Sequence, residues 1–355
     1  YYRIQSHNLV FDEPVNNKLR EEFNNNIIKD FKNLSISDIA KLILFKTLPI
    51  CYLEGFKKLN YYKNRTFFPK NPKIIFTSVN CDTDEVFKLW AVTKLLNDTK
   101  LAIYQHGSNY GTEKNDNNPS IDEQVSDYFL NWGWKNDNIK YFPTNIIRRN
   151  YHKIKKNRNS AYKIFLIENI IRNSYLSHDV HYEFNNYFNE QKKFVSLINK
   201  NILSNLVVKL HSAYPYYYNC EEILRWSDFD QKIKLDIGKT TFKQVVKESK
   251  IVIFSYDSTG FLECLAYNIP CLAFWQNNLD HVRDSAKPNY KILENAEILF
   301  FSADDIANKV NKVYDDVNSW WFSKEVQLAR TQFCKIYANT NNLDLKNIIK
   351  KISKK

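Results

Sequence analysis

Short apolar runs with strand character alternate with helical stretches twice along this 355-residue chain, and this alternation is the feature that most restricts its fold. The first series contains strands predicted at Lys73–Ser78, Leu101–Gln105 and Asp127–Trp132, with a helix predicted at Asp84–Leu96. Strands separated by helices indicate a parallel sheet with crossover helices on its faces. We therefore expect an α/β protein.

The alternation restarts beyond a polar, basic and aperiodic stretch at residues 135–160, where we place the domain junction. The strands of the second series are predicted at Tyr162–Ile167, Leu206–Leu210, Lys232–Ile237, Ile251–Phe254, Cys271–Phe274 and Ile298–Phe301. Helices are predicted at His181–Asn199, Phe242–Glu248, Asp304–Asp316 and Trp320–Ala338. Two such units predict two Rossmann-like domains whose parallel sheets face a central cleft. Ligands are then expected beyond the carboxyl ends of the strands.

The predicted domains are residues 1–145, residues 146–330, and a C-terminal helix or tail at 331–355. The first domain begins with a mostly helical stretch over residues 1–70, in which Ser35 or Ser37 is expected to cap a helix at Ile36–Leu48. The sequence contains no Met, even at position 1, so we expect it to begin inside a longer protein or to lack residues.

A strand, a hydroxyl-rich loop and a helix follow one another within Ile251–Trp275. Helix N-terminal N–H groups and nearby hydroxyls make a seat for phosphate, and a carboxylate one turn further can accept hydrogen bonds from a ribose. The candidate nucleotide-binding residues here are Ser255, Ser258, Thr259, Gly260 and Glu263. The alternative is that the three hydroxyls only cap the helix.

A second candidate element is the strand Val207–His211, which delivers Lys209 and His211 towards the same expected cleft. The lysine can balance phosphate charge, and the histidine can donate a hydrogen bond to a phosphate or a base. A single histidine can equally be a structural residue with all its hydrogen bonds satisfied.

The third element is Tyr104–Gly111, where a strand ends at His106 and two glycines permit tight turns. An imidazole titrates near neutrality, so His106 could remove a proton from an acceptor hydroxyl. Glu113 and Asp127 are the alternative bases. A loop histidine bonded to the backbone is the competing interpretation.

Asp82 and Asp84 form a DxD pattern after a predicted strand, and such a pattern can hold a divalent metal. We expect Asp84 instead to cap the helix that starts at Glu85, and we expect no metal site. The sequence contains no HExxH, P-loop, GxSxG or GxGxxG motif, so zinc proteases, NTPases, hydrolases and dehydrogenases lack their signatures.

The formal net charge of +12 fits either a solvated lysine-rich surface or an anionic partner, such as nucleotide phosphates, an acidic glycan or a membrane surface. No helix-turn-helix, zinc-finger or ribonucleoprotein pattern points to nucleic acid. The six cysteines show no CxxC spacing, and no apolar run reaches about 18 residues. We therefore expect a cytoplasmic protein, with peripheral contact at the inner face of the plasma membrane as an extension.

Lys209 and His211 followed by Ser255–Thr259 resemble the paired motifs of bacterial GT-B transferases that use CMP- or CDP-linked donors. These include sialyl-, polysialyl-, Kdo and CDP-glycerol transferases. The His-Gly-Ser at 106–108 is similar to the His-Gly-Thr that supplies the base in the last group. Two positions depart from the pattern, since His211 precedes Ser212 rather than proline, and Thr259 replaces a serine.

The chain resembles still more closely a family of transferases from surface-carbohydrate gene clusters, first described in spirochaetes. The resemblance spans residues 75–340, and its matching segments are Asp84–Trp90, Gln105–Gly111, Asp127–Trp134, Ser258–Glu263 and Trp320–Trp321. It implies a GT-B fold and a role in making lipopolysaccharide, capsule or a related surface glycan.

Together these expectations predict a glycosyltransferase that uses neither a metal nor a cofactor. Its donor substrate is a nucleotide sugar, and its acceptor is a glycan or a lipid-linked glycan. The favoured donor is a CMP-linked sugar, with a nonulosonic acid as the sugar. The alternatives are a CDP-alcohol phosphotransferase, a nucleotide-sugar epimerase of the same fold, or a non-catalytic glycan- or membrane-binding protein.

Overall fold

The structure is a computed structural model that describes residues 9–27, 35–114, 117–135, 138, 140–146, 163–169, 184–211, 222–340 and 345–352. The strands are β1 (Ile74–Thr77), β2 (Lys100–Tyr104), β3 (Tyr128–Asn131), β4 (Tyr141–Pro143), β5 (Lys163–Ile167), β6 (Leu206–Lys209), β7 (Lys234–Asp236), β8 (Ser249–Phe254), β9 (Cys271–Phe274) and β10 (Leu299–Phe300). The first helices are α1 (Asn17–Ile27), α2 (Ile36–Thr47), α3 (Phe56–Asn64), α4 (Asn80–Thr83), α5 (Glu85–Leu95), α6 (Asn117–Val125), α7 (Phe184–Leu197) and α8 (Lys200–Leu203). The remaining helices are α9 (Glu222–Phe229), α10 (Phe242–Glu248), α11 (Thr259–Ala266), α12 (Lys287–Asn295), α13 (Ala303–Val313), α14 (Val317–Trp321), α15 (Lys324–Tyr337) and α16 (Leu345–Ile352).

Two compact units make up the chain. The first contains Tyr1–Tyr104 and Val125–Tyr128, and the second contains Gln105–Gln124 and Phe129–Lys355. No helix among the described residues is long and apolar enough to cross a membrane.

The first unit opens with short helices whose ends are fixed by polar contacts. Ser35 caps α2 by accepting a hydrogen bond from the N–H of Asp38 at 3.2 Å, so the first of the two predicted cap residues is the one used. Arg20 on α1 forms a buried ion pair with Glu54, with 2.7 Å between Nε and Oε1. Asp84 caps α5 through the N–H of Phe87 at 3.0 Å, which confirms the capping role predicted for it.

The smaller sheet has four strands in the order β1-β2-β3-β4. β1 pairs with β2 in parallel, and β3 pairs with β4 in parallel. Three of these strands were predicted to within one or two residues. β4 was not, because Tyr141–Pro143 lies inside the polar stretch that we assigned to a domain junction.

The larger sheet has six parallel strands in the order β10-β9-β8-β5-β6-β7. This is the doubly wound order, in which the first strand of the sheet lies at its centre and successive strands are added outwards in both directions. All six strands were predicted from the sequence. The expectation of an α/β chain with two parallel sheets is confirmed.

Both faces of the larger sheet are buried, which explains why its strands are nearly continuous apolar runs. Ile164 and Ile253 belong to the cluster on one face, with Phe194 of α7 and Ile306 of α13. The alternate residues of the same strands, such as Val252, are also buried. Near the end of the chain, helix α15 packs against α11 and α12.

One predicted helix is wrong in its continuity. We expected a single helix at Trp320–Ala338, but the structure has α14 ending at Trp321 and α15 beginning at Lys324. Ser323 starts the second helix by accepting a hydrogen bond from the N–H of Val326 at 3.4 Å. A serine cap in the middle of a periodic apolar pattern therefore marks two helices rather than one.

Candidate functional site

The point where the strand order reverses, between β5 and β8, is where doubly wound sheets bind ligands. Ser255 follows β8 here and is fully buried. Its Oγ donates to the carbonyl oxygen of Ile167 at 2.9 Å and lies 2.5 Å from the hydroxyl of Tyr187. Ser255 therefore joins the ends of the two central strands, and its hydroxyl already has two protein partners.

Ser258 is the N-cap of α11. Its hydroxyl accepts a hydrogen bond from the N–H of Phe261 at 3.2 Å, and the residue is buried. This is the capping contact that the sequence offered as the alternative to phosphate binding. Helix geometry leaves the N–H groups of the first turn without intrahelical partners, so Thr259 and Gly260 still present donors there.

Gly260 allows α11 to approach the sheet closely. A Cβ atom at this position would lie 2.8 Å from Cε1 of Phe254 and 3.3 Å from Cζ of Phe242. Both contacts are shorter than side chains normally tolerate. The glycine is therefore required for packing of the helix start, which in turn fixes where its N–H groups lie.

Thr259 connects this helix to the Gln-His-Gly-Ser segment. Its Oγ1 accepts a hydrogen bond from the backbone N–H of Ser108 at 2.9 Å, and a Cβ on Gly107 would lie 3.2 Å from the same oxygen. Both partners belong to the second compact unit. Two segments that the sequence identified separately thus meet at one place.

Gln105 fixes the base of the His106 loop from inside. Its side chain is buried, accepts hydrogen bonds from the N–H of Trp132 at 3.0 Å and from Nε1 of Trp134 at 3.2 Å, and donates to the carbonyl of Gly107 at 2.9 Å. The matching Gln-His-Gly and Trp-Gly-Trp segments are therefore two halves of one hydrogen-bonded structure. No role was predicted for Gln105 from the sequence.

His106 is half-buried and makes a side-chain contact within its own loop. Its Nδ1 lies 2.8 Å from the hydroxyl of Tyr110, and that hydroxyl donates to Oδ2 of Asp122 at 2.6 Å. Both of these contacts are between side chains. Tyr110 and Asp122 are site residues that the sequence analysis missed.

The two alternative bases lie in different surroundings. Glu113 is buried beside an antiparallel bridge to Val282, and its carbonyl accepts a hydrogen bond from Nε of Arg283. Asp127 precedes β3, at the amino end of that strand, and accepts a hydrogen bond from the N–H of Leu101 at 2.8 Å. His106 instead follows the carboxyl end of β2.

Lys209 ends β6 with its charge already paired. Its Nζ lies 3.3 Å from Oδ2 of Asp236, and both side chains are buried. Burial raises the pKa of Asp236, but hydrogen bonds from Thr240 and the charge of Lys209 outweigh it and leave this pKa lowered. His211 follows β6 and is half-buried. The paired lysine adds little net charge for neutralising a phosphate.

Glu263 lies one turn into α11 and is buried. Asp257, which the sequence analysis passed over, lies in the same loop. Its Oδ2 accepts a hydrogen bond from the hydroxyl of Tyr290 at 2.5 Å and lies 3.6 Å from Nε2 of His281. Its Oδ1 is buried without a hydrogen-bond partner among the described residues.

Glu168 is a second missed residue, directly after the central strand β5. It is buried, and Trp226 donates from Nε1 to its Oε2 at 3.1 Å. Burial raises the pKa of Glu168 to about 8, with the nearby Glu222 adding to the effect, so the carboxyl is mostly protonated at neutral pH. The strand-end rule could have found it, because it applies to β5 as much as to β8.

The structure therefore brings His106 and the start of α11 into one site through Ser108. It engages the Ser255 and Ser258 hydroxyls within the protein and leaves the helix N–H groups as the donors suited to an anion. Among the described residues, no cluster of three or more His, Cys, Asp or Glu side chains has the geometry of a metal site.

A family model matches nearly the whole chain. Residues 3–352 match the model of the family described as LIC12162 family transferase. No curated protein matches the chain significantly.

Several solved structures are similar at low identity. A glycosyltransferase from Rickettsia africae has a TM-score of 0.45 and 14% identity, covering 94% of this chain and 86% of its own. The spinosyn rhamnosyltransferase SpnG has a TM-score of 0.42 and 9% identity, covering 85% of this chain and 76% of its own. WaaG, a glycosyltransferase involved in lipopolysaccharide biosynthesis, has a TM-score of 0.35 and 11% identity, covering 84% of this chain and 80% of its own.

Proposed function

We propose that this chain, which belongs to the LIC12162 family of transferases, is a GT-B glycosyltransferase that moves a sugar from a nucleotide-activated donor to a glycan acceptor. Membership of the family makes it a transferase. The sugar, the nucleotide and the acceptor are the parts that we add.

One observation carries the proposal: the hydrogen bond at 2.9 Å from the Ser108 N–H to Thr259 Oγ1. It holds the loop of His106 against the first turn of α11. A proton acceptor and a set of anion-binding N–H groups are the two components that a sugar transfer from a nucleotide requires. The doubly wound order of the larger sheet supports a nucleotide at the same edge.

In the proposed reaction, the hydroxyl oxygen of the acceptor forms a bond to the anomeric carbon of the donor. The proton of that hydroxyl passes to Nε2 of His106. The bond between the anomeric carbon and the phosphate oxygen breaks, and its electron pair stays on the phosphate. The N–H groups of Thr259 and Gly260, together with the helix dipole of α11, stabilise the negative charge that develops there.

The donor we favour is a CMP-linked sugar, with a nonulosonic acid as the sugar. The support is the resemblance of Lys209, His211 and Ser255–Thr259 to the motif pair of CMP- and CDP-donor transferases. Glu263, buried one turn beyond Thr259, is the residue that we assign to the ribose hydroxyls. The reaction as written uses neither a metal nor a cofactor.

The proposed role is assembly of lipopolysaccharide, capsule or a related surface glycan, in the cytoplasm at the inner face of the plasma membrane. The support is the family resemblance and the formal charge of +12, which favours anionic partners. A CDP-alcohol phosphotransferase or an epimerase of the same fold is the nearest alternative. An epimerase would consume the donor without any acceptor.

Two variants test the assignment of roles. His106→Ala should abolish release of nucleotide from the donor sugar in the presence of acceptor while leaving nucleotide affinity nearly unchanged. Glu263→Ala should weaken nucleotide binding. The opposite pattern, with binding lost in the first variant and turnover alone lost in the second, would reverse the roles. A protein with no nucleotide binding at all would be a non-catalytic glycan- or membrane-binding protein.

A further inference from the structure

The proposed base, His106, and two side chains behind it form a continuous hydrogen-bonded row. His106 Nδ1 contacts the hydroxyl of Tyr110 at 2.8 Å, and this hydroxyl contacts Oδ2 of Asp122 at 2.6 Å. Tyr110 and Asp122 are 2% and 1% exposed, so bulk water does not compete for either bond. All three belong to the same compact unit.

The proton inventory of this row fixes its direction. The hydroxyl of Tyr110 donates to Oδ2 of Asp122, and a hydroxyl has only one proton to donate. The tyrosine oxygen can then only accept from His106, which requires the proton of the neutral imidazole to sit on Nδ1. The lone pair of the ring is consequently on Nε2.

We propose that Asp122, acting through Tyr110, holds His106 in the Nδ1–H tautomer and so makes Nε2 the proton acceptor for the acceptor hydroxyl. The inference rests on the proposed function for the identity of that hydroxyl. Tyr110 and Asp122 are positioning residues, since they act through the histidine. When Nε2 takes the proton, the imidazolium is stabilised by a carboxylate one hydroxyl away.

Packing keeps the row in place. The ring of Tyr110 stacks on Phe129 with centroids 5.6 Å apart and planes at 19°, and it meets the ring of His106 edge-on at 5.6 Å. Removing the hydroxyl alone therefore leaves the ring packing intact. This makes Tyr110→Phe a variant that separates the proton path from the shape of the site.

The test reads the tautomer directly and needs no substrate. Two-bond proton–nitrogen spectra of the full ¹⁵N-labelled chain are recorded over a rising pH series, and the tautomer is read where the nitrogen shifts no longer change because the imidazole is neutral. The signal of His106, one of seven histidines, is identified by its loss in His106→Gln. We expect the wild type to show the Nδ1–H form.

Asp122→Leu should invert the tautomer. The Tyr110 hydroxyl then has no carboxylate to donate to and donates to Nδ1 of His106 instead, so the imidazole proton moves to Nε2. Tyr110→Phe should remove the bias towards Nδ1–H. Tyr314→Phe is the matched control, because it removes a tyrosine hydroxyl elsewhere in the same unit, one that accepts a hydrogen bond from Asn205 at 2.9 Å. This variant should leave the His106 signal unchanged.

An Nε2–H form in the wild type, or an unchanged tautomer in both Asp122→Leu and Tyr110→Phe, would overturn the inference. If Asp122→Leu fails to fold, Tyr110→Phe still decides the matter. This test is independent of the test of the proposed function. A protein that binds no nucleotide can still show the Nδ1–H form of His106, and a protein that transfers sugar can show the Nε2–H form.

Discussion

The backbone N–H of Ser108 donates a hydrogen bond to the hydroxyl of Thr259 at 2.9 Å, although 151 positions separate the two residues. Each residue belongs to a segment that the sequence singled out for a different task, one for proton transfer and one for phosphate. The contact shows that these two segments lie against each other in the fold. It also shows that the Thr259 hydroxyl acts as an acceptor within the protein.

Loss of that acceptor should loosen the His106 loop. Thr259→Val keeps the shape of the side chain and removes the oxygen, so the Ser108 N–H loses its partner. We expect a loss of about 1–2 kcal/mol in the free energy of unfolding, measured by urea titration. Thr259→Ser retains the oxygen and should stay within about 0.5 kcal/mol of wild type. Equal stabilities for the two variants would contradict this account of the contact.

Gln105 should be the more costly of two buried glutamines to replace. Gln105→Leu leaves the N–H groups at Trp132 and Trp134 and the carbonyl of Gly107 without their partner, which should cost about 3 kcal/mol or more. Gln191 is the control, because its fully buried side-chain amide makes no hydrogen bond among the described residues. Gln191→Leu should be neutral or stabilising in the same urea titration. A neutral Gln105→Leu would refute the structural role of this side chain.

The two glycines of the His106 loop should differ in their tolerance of a methyl group. Gly111 has φ of 73°, and a Cβ there would lie 2.7 Å from Cδ2 of Trp134. Gly111→Ala should therefore cost at least about 2 kcal/mol. Gly107→Ala meets only Oγ1 of Thr259 at 3.2 Å and should cost about 1 kcal/mol or less. Thermal unfolding of both variants checks the order, and a more stable Gly111→Ala would contradict it.

Glu168 should make the protein less stable as the pH rises. Burial raises the pKa of this carboxyl to about 8 from its ordinary value of 4.5, so the folded state holds a proton that the unfolded state has lost. The carboxyl leaves the free energy of unfolding unchanged below about pH 4.5. It lowers that free energy progressively up to about pH 8, by a few kcal/mol in total. Glu168→Gln keeps an acceptor for Trp226 and removes the charge. The variant should gain stability over wild type between pH 5 and 8 and match it at pH 4; a constant difference would show that the carboxyl does not titrate in this range.

Strand–helix alternation was enough to predict the two parallel sheets, because nearly continuous apolar runs such as Ile251–Phe254 occur in few other settings. The strand Tyr141–Pro143 escaped prediction, since it is short and its neighbours are polar. The break between α14 and α15 escaped because Trp320–Ala338 keeps its apolar period across the cap at Ser323.

The site was predictable in its segments and less so in its contacts. Strand ends and helix starts pointed to His106 and Thr259, since those positions follow from local pattern. Tyr110, Asp122 and Gln105 became visible only in the fold, because their partners depend on how the loop turns. The role of Ser258 as a cap was weighed from the sequence and is the role that the structure gives its hydroxyl.

The most direct test of the central claim is thermal unfolding of the wild-type chain with CMP, CDP, UDP, GDP and dTDP at millimolar concentration. A nucleotide present at one hundred times its Kd stabilises the fold by about 2.7 kcal/mol, which amounts to several degrees in Tm. We expect at least one nucleotide to produce such a shift, with CMP or CDP giving the largest. If none of the five raises the Tm, the start of α11 is not a nucleotide site and the assignment as a nucleotide-dependent glycosyltransferase is contradicted.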